Sequence, residues 1–150
     1  MKLNRQKFEE IKNLLTDKLG DNVIVEEEFG SEFLKIRNTE FWLSVDDNEF
    51  TVGYGINHSH FSEDYGNLYE GIIQAFNLLT NKIKTTKFIK GNSVYKEITE
   101  IEFPDSKLEN IGETSFLFYP FWKKTKIKVY YNDLIMNKTD IENEVNIIIN

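Results

Sequence analysis

Two segments of the chain carry apolar residues at the spacing of an amphipathic helix. The first predicts a helix over residues 3–19, with Asn4 as its N-cap and Gly20 as its C-terminal stop. The second predicts a helix over residues 68–84, where Asn67 and Glu70 approximate a capping box. The two apolar stripes are Leu3, Phe8, Ile11, Leu14, Leu15 and Leu19, then Leu68, Ile72, Phe76, Leu79 and Ile83.

Short runs of β-branched and aromatic residues predict the strands. Polar or glycine-containing turns separate them at residues 30–31 and 46–49, so neighbouring strands are expected to be antiparallel. Residues 55–65 are predicted to be a loop, and residues 132–143 fit either a loop or a short helix. The predicted strands are 22–26, 32–37, 41–45, 50–54, 86–89, 93–101, 115–119, 126–131 and, as an open choice, 145–149. This order predicts an α+β fold, a curved antiparallel sheet with two main helices packed on one face.

Composition narrows the class of protein. A chain of 150 residues with 40% hydrophobic and 14% aromatic residues predicts a single domain, 1–150. The absence of cysteine excludes disulfides, thiolate nucleophiles and cysteine-bound metal. The first ten residues lack the apolar stretch of a signal peptide, and no apolar run is long enough to span a bilayer. We therefore expect a cytoplasmic protein that does not bind membranes.

Charge is unevenly distributed along the chain. The net charge is −7, and residues 21–81 hold twelve acidic side chains against two basic ones. Such a segment repels phosphate, so nucleic acid is not expected as a partner, whereas a protein with a basic surface would be attracted. An ordinary solvated acidic surface explains the same pattern.

Residues 53–66 contain both histidines of the chain. His58 and His60 are one residue apart, and Glu63 and Asp64 follow closely. In an extended backbone both imidazoles would point the same way and reach one metal ion. Two nitrogens are too few ligands, and bonds to the backbone or stacking on a neighbouring ring explain the segment without metal. We expect no metal and no cofactor.

The familiar catalytic motifs are missing from the sequence. There is no phosphate-binding loop, dinucleotide fingerprint, zinc-binding His-Glu-x-x-His helix or Gly-x-Ser-x-Gly elbow. The carboxylate pair Asp46-Asp47 lies in a predicted turn, where ordinary hydrated carboxylates are expected. We therefore expect a binding protein and not an enzyme.

An aromatic cluster, residues 116–122, precedes three lysines within residues 123–126. Aromatic stripes on strands usually belong to the core, so we expect these side chains to be largely buried. The alternative is an aromatic and basic patch near a sheet edge, because Pro120 limits strand pairing.

The segments 41–45, 51–55, 57–61 and 88–92, with a helix between the last two, resemble small bacterial immunity proteins that neutralise polymorphic or contact-dependent toxins. The likeness covers roughly residues 40–125. It implies an α+β build, cytoplasmic location and occlusion of a toxin, without catalytic residues.

The cognate toxin is expected to have a basic surface. The expected partner-binding residues are Asp46, Asp47, Glu49, Tyr54, His58, His60, Phe61, Glu63, Asp64 and Tyr65. Two alternatives stay open. One is a small metal-dependent hydrolase that uses His58, His60 and Asp64, and the other is a chaperone-like module that binds a peptide at a sheet edge.

Overall fold

The computed structural model describes residues 2–150, which form an α+β fold of three helices and two antiparallel sheets. The helices are α1 (Leu3–Leu19), α2 (Leu68–Thr80) and α3 (Lys138–Ile149), and a 3₁₀ turn spans Gly20–Asn22. The strands are β1 (Val23–Glu28), β2 (Ser31–Ile36), β3 (Phe41–Val45), β4 (Phe50–Tyr54), β5 (Asn57–Phe61), β6 (Lys82–Lys90), β7 (Ser93–Glu102), β8 (Leu108–Ser115) and β9 (Thr125–Asn132). No helix within residues 2–150 is both long enough and apolar enough to cross a membrane.

The N-terminal sheet is a meander in which β1 to β5 pair in sequence order. Leu34, Leu43 and Val52 are direct cross-strand neighbours on β2, β3 and β4, and all three are fully buried. Both α1 and α2 contact β3 and β4. The apolar residues of alternate strand positions therefore meet the apolar stripes of the helices, as the sequence periodicity requires.

Helix α2 approaches the sheet closely because residue 71 is glycine. A Cβ added at Gly71 would lie 2.5 Å from the Phe61 ring of β5, a distance that no real side chain tolerates. Phe61 fills the space that the missing side chain leaves, and it is 8% exposed. Since residues alternate along a strand, Phe61 and its neighbour His60 lie on opposite faces of the sheet.

The C-terminal sheet has the strand order β8-β7-β6-β9 and starts directly after α2. Its end nearest α2 is buried through Ile83, Thr85, Thr99 and Ile101. Every residue of β9 is exposed to solvent. Burial therefore decreases along β6 and β7 away from the core.

Asn57 joins the two sheets. Its Nδ2 donates hydrogen bonds to Thr99 Oγ1 (2.8 Å) and to the Glu97 carbonyl oxygen (3.3 Å), and its Oδ1 accepts one from Thr114 Oγ1. The side chain is 4% exposed. Gly112 leaves room for it, since a Cβ there would lie 2.7 Å from the Asn57 Cβ. Every polar atom of this buried amide thus has a partner, as burial demands.

Several sequence predictions are confirmed. The first helix spans residues 3–19, and β3 and β4 have the predicted bounds and the predicted turn between them. The antiparallel α+β class is confirmed as well, although the strands divide into two sheets instead of one.

Four element predictions are wrong. Residues 57–61 of the predicted loop form β5, α2 ends at Thr80 and not at residue 84, residues 116–119 leave the strand ladder, and residues 145–149 are helical. The N-cap of α1 is Lys2 and not Asn4, whereas Asn67 is the N-cap residue of α2 as predicted, although its side chain makes no capping hydrogen bond. Asn4 lies inside α1, where it is buried and bonds to Ser62, and Asn67 Oδ1 accepts a hydrogen bond from the Ser62 amide.

Candidate functional site

The exposed face of β3, β4 and β5 carries an indole next to an imidazole. Trp42, Gly53 and His58 are direct cross-strand neighbours. A Cβ at Gly53 would overlap atoms of the indole, so Trp42 lies across the glycine, and its Nε1 donates a hydrogen bond to the Gly55 carbonyl oxygen (3.0 Å). The ring centroids of Trp42 and His58 are 5.6 Å apart. Glycine at position 53 thus fixes where the aromatic pair sits.

His60 belongs to a polar network on the same face. Its Nδ1 lies 2.7 Å from Glu49 Oε2 and 3.2 Å from Thr51 Oγ1, and its ring meets His58 edge-on at 5.1 Å. The other oxygen of the same carboxylate, Glu49 Oε1, accepts a hydrogen bond of 2.7 Å from the Tyr65 hydroxyl. Glu49 therefore holds together the turn, the strand and the segment that leads to α2.

The hydrogen bond to Glu49 raises the pKa of Tyr65 above its ordinary value, with smaller contributions from burial and from the charges of Glu49, Asp46 and Asp64. A phenol that donates to a carboxylate resists losing its proton, because the product would be two adjacent negative charges. The Tyr65 hydroxyl therefore keeps its proton at neutral pH and lies near the side chains of His60, His58 and Trp42.

The acidic turn 46–49 is partly compensated by its own neighbours. Asp46 Oδ1 accepts hydrogen bonds from the backbone amides of Asn48 (2.7 Å) and Glu49 (2.8 Å). Asp47 Oδ1 lies 2.9 Å from Arg5 Nε. Asp46, Asp47 and Glu49, three of the acidic residues predicted to bind a partner, thus already have partners within the chain.

The remaining predicted residues are divided between surface and core. Glu63 and Asp64 are exposed in the turn before α2, close to Tyr65. Tyr54 and Phe61 are buried, at 3% and 8% exposure, so a partner at the surface does not reach them in this conformation. Burial is also the main cause that raises the pKa of Tyr54, whose hydroxyl accepts a hydrogen bond from Asn132.

The sequence did not indicate the cleft between the two sheets. Its volume is about 560 Å³, and its lining residues include Trp42 of the N-terminal sheet and Tyr130 of the C-terminal sheet. Lys87 Nζ is 3.6 Å from Glu97 Oε1 within it. Its lining residues, from Lys35 to Asn132, lie up to 97 positions apart in the chain, and no local sequence pattern reveals that they meet.

Within residues 2–150, no group of three or more His, Cys, Asp or Glu side chains is placed to hold a metal ion. The Nδ1 atom of His60 already faces Glu49 and Thr51. A hydrolase built on His58, His60 and Asp64 would need further ligands.

The aromatic cluster, residues 116–122, is the feature that sequence reasoning placed wrongly. Its side chains were expected in the core, but Leu117 and Phe118 are 90% and 94% exposed, and Phe121 and Trp122 are 71% and 72% exposed. We call residues 116–124 the aromatic arm. The proline and the lysines around it were the signals for exposure.

The aromatic arm crosses the far end of the β6–β7 hairpin and is attached to it. Tyr119 stacks on Tyr95 at 4.7 Å, and the Phe116 amide donates a hydrogen bond of 2.8 Å to the Tyr95 carbonyl oxygen. Lys90 Nζ donates to the Phe121 carbonyl oxygen at 3.3 Å. The arm thus has defined contacts while its largest apolar side chains face solvent.

No protein-family model, curated protein or solved structure matches this chain.

Proposed function

We propose that this chain is a bacterial immunity protein that binds a cognate toxin in the cytoplasm and blocks it by occlusion. The observation that carries the proposal is the exposure of the aromatic arm. A soluble domain rarely leaves large apolar side chains together in water unless they serve an interface. Aromatic residues are also the side chains that contribute most to protein–protein binding.

The arm is suited to anchoring a partner because it is tethered. The Tyr95–Tyr119 stack and the Lys90 hydrogen bond restrict the backbone before any partner arrives. Binding then immobilises fewer groups, which lowers the entropic cost of association. Phe118 and Trp122 are the anchors we assign to the toxin.

The acidic and histidine-containing face of the N-terminal sheet provides the second part of the proposal. There, His58, His60, Tyr65 and the turn 46–49 are the expected polar contacts, with Glu63 and Asp64 beside them. A toxin with a basic surface would be steered towards this segment. We also propose that the N-terminal sheet is curved and that α1 and α2 pack on one of its faces. Contacts of both helices with β3 and β4 support the second part.

The test uses the product of the gene adjacent to the one that encodes this chain. Co-expression of the wild-type chain should protect cells from that product, and the purified proteins should form a complex. The double variant Phe118→Ser/Trp122→Ser should lose protection while its unfolding transition is retained, because both side chains are largely exposed.

The matched control is Phe29→Ser, since Phe29 is 98% exposed but lies in the β1–β2 turn. This control should protect fully. Loss of protection in both variants, or in neither, would contradict the assignment of the arm. Failure of the wild-type chain to bind or protect would contradict the immunity function itself.

A further inference from the structure

Each sheet has two edge strands, and two of the four edges cover one another. In the N-terminal sheet the edges are β1 and β5, and in the C-terminal sheet they are β8 and β9. Strands β5 and β8 lie against each other, with Asn57 seated on Gly112. Within residues 2–150, β1 and β9 are therefore the edges left without a neighbouring strand.

The two free edges have opposite charge. Strand β1 carries Glu26, Glu27 and Glu28, and residues 25–28 are all exposed. Strand β9 carries Lys126 and Lys128 and is exposed along its whole length. Edge strands expose unpaired amides and carbonyls, and like charges on an edge disfavour its pairing with itself.

The backbone hydrogen bonds show which residues of β1 direct their amides and carbonyls away from β2. The Arg37 amide bonds to the Asn22 carbonyl oxygen, so even-numbered residues of β1 face β2. Odd-numbered residues, including Val25, therefore present their amides and carbonyls to solvent, since these directions alternate along a strand.

The same reasoning applies to β9. The Phe103 amide bonds to the Lys107 carbonyl oxygen, so even-numbered residues at this end of β7 face β6. Even-numbered residues of β7 pair with even-numbered residues of β6 here, so the odd-numbered residues of β6 direct their amides and carbonyls towards β9. Those residues pair with even-numbered residues of β9. The odd-numbered residues of β9, including Val129, therefore direct their amides and carbonyls to solvent. Val25 and Val129 can thus form a hydrogen-bonded antiparallel pair.

We propose that β9 of one copy adds to β1 of a second copy of this chain as an antiparallel strand, with Val25 opposite Val129. This register places Glu26 opposite Lys128 and Glu28 opposite Lys126. Shifting it by two residues either way keeps the backbone pairing but matches only one of these glutamates with a lysine of β9. Pairing β1 with β1, or β9 with β9, offers no opposite charges at all.

The contact is heterologous, because the two copies contribute different strands. Each copy therefore keeps one free β1 and one free β9, and association continues head to tail into chains or closed rings. A ladder of six residue pairs is small beside a standard protein interface. Association is therefore expected to rise with protein concentration and to weaken with salt.

Charge reversal gives the first test, read by sedimentation velocity. Glu26→Lys/Glu28→Lys and Lys126→Glu/Lys128→Glu should each remain monomeric at concentrations where the wild type associates. Mixing the two variants should restore association, because each then offers the edge that the other lacks. The control Glu109→Lys/Glu142→Lys makes the same change of charge as the first variant, on β8 and α3 and thus outside β1 and β9, and should associate like the wild type.

A wild type that stays monomeric up to about 1 mM, the range of very weak complexes, would overturn the proposal. So would a mixture of the two variants that remains monomeric. Association of the wild type that both charge-reversed variants retain would also overturn it, because the contact would then lie elsewhere.

Disulfide trapping gives the second test, which the absence of native cysteine makes clean. Glu26 and Lys128 would form a non-hydrogen-bonded pair, the closer of the two cross-strand geometries, and a disulfide fits that spacing. Mixed Glu26→Cys and Lys128→Cys proteins should form a heterodimer on oxidation, whereas Glu26→Cys mixed with Ile127→Cys should not. Equal crosslinking of both mixtures, or preferential Glu26→Cys homodimers, would refute the register. Neither test involves the toxin, so the outcome is independent of the proposed function.

Discussion

Gly53 should be one of the least replaceable positions on the surface of the N-terminal sheet. The substitution Gly53→Ala adds one methyl group where the Trp42 indole lies, so the indole must leave its place over the strand. It would then lose its hydrogen bond to the Gly55 carbonyl oxygen. Because the Trp42 ring packs beside His58 at a tilt of 48°, the position of that imidazole would change as well.

The size of the effect follows from two contributions. Forcing extra volume into a packed site costs about 1–3 kcal/mol, and losing a hydrogen bond costs about 0.5–1.5 kcal/mol. We expect Gly53→Ala to lower the free energy of unfolding by about 2–4 kcal/mol. In a Trp42→Ala background the methyl group has free space, and alanine restricts the unfolded chain more than glycine does, so the same change should stabilise by about 0.5–1 kcal/mol.

The measurement is a double-mutant cycle in urea, followed by far-ultraviolet circular dichroism. The four proteins are the wild type, Gly53→Ala, Trp42→Ala and the double variant. The sign of the Gly53→Ala effect should reverse between the two backgrounds. Additive effects, with the same loss whether or not the indole is present, would show that Trp42 does not occupy the space over residue 53.

Three further predictions concern the junction, the tyrosine and the proposed partner. Asn57→Ala should lower the free energy of unfolding by about 2–3 kcal/mol in urea, since it leaves buried partners unpaired, whereas the exposed Asn92→Ala should change it by less than about 0.5 kcal/mol; equal effects would contradict the junction. In an absorbance titration, the difference between the wild type and Tyr65→Phe should show Tyr65 titrating above free tyrosine, and Glu49→Gln should lower its pKa. A raised pKa of this acid means that the contribution of Tyr65 to stability is fully present below its unfolded-state pKa and is lost as pH rises through the folded-state pKa; an unchanged pKa in Glu49→Gln would contradict the hydrogen bond. Association with the toxin should slow as salt shortens the Debye length below about 8 Å, with dissociation largely unchanged, and charge reversal at Asp46, Asp47, Glu49, Glu63 or Asp64 should give graded losses; a salt-independent association rate would contradict the electrostatic account.

The hydrophobic pattern of the sequence correctly predicted those elements in which local preference and tertiary packing agree. Helix α1 has one apolar stripe that ends before Gly20, and the structure buries the stripe except at its two ends, where Leu3 and Leu19 are partly buried. Strands β3 and β4 alternate cleanly around a polar turn, so their bounds and pairing were predictable. In these segments the tertiary structure adds nothing that contradicts the local preference.

The errors arose where distant residues decide the structure. The β-branched run 145–149 favours a strand locally, but Ile141, Val145 and Ile148 share a helical face that α3 packs against α1 and α2. Residues 57–61 were predicted to belong to a loop, yet they form β5, in which Asn57 finds its partners on β7 and β8 and the histidines face solvent. Sequence does not reveal a partner that lies more than forty positions away.

The sequence predicted some residues of the candidate site, but it did not predict which of their side chains bond to each other. The proximity of His58 and His60 followed from their spacing on an extended backbone. The carboxylate that joins His60 to Tyr65 comes from Glu49, across the hairpin, and could not be assigned. The aromatic arm was assigned to the core from general burial tendencies, which fail where side chains have no apolar surface to pack against.

The order of the strands also determines when each part of the protein can fold during synthesis. Each strand of the N-terminal sheet pairs with its neighbour in sequence, so that sheet can close as its residues emerge from the ribosome. Strand β9 pairs with β6, and Ile83 pairs with Asn132, so this ladder can be completed only after residue 132 has been synthesised. Through that interval one edge of β6 stays unpaired in the nascent chain, and unpaired strand edges are sites where unfinished chains aggregate.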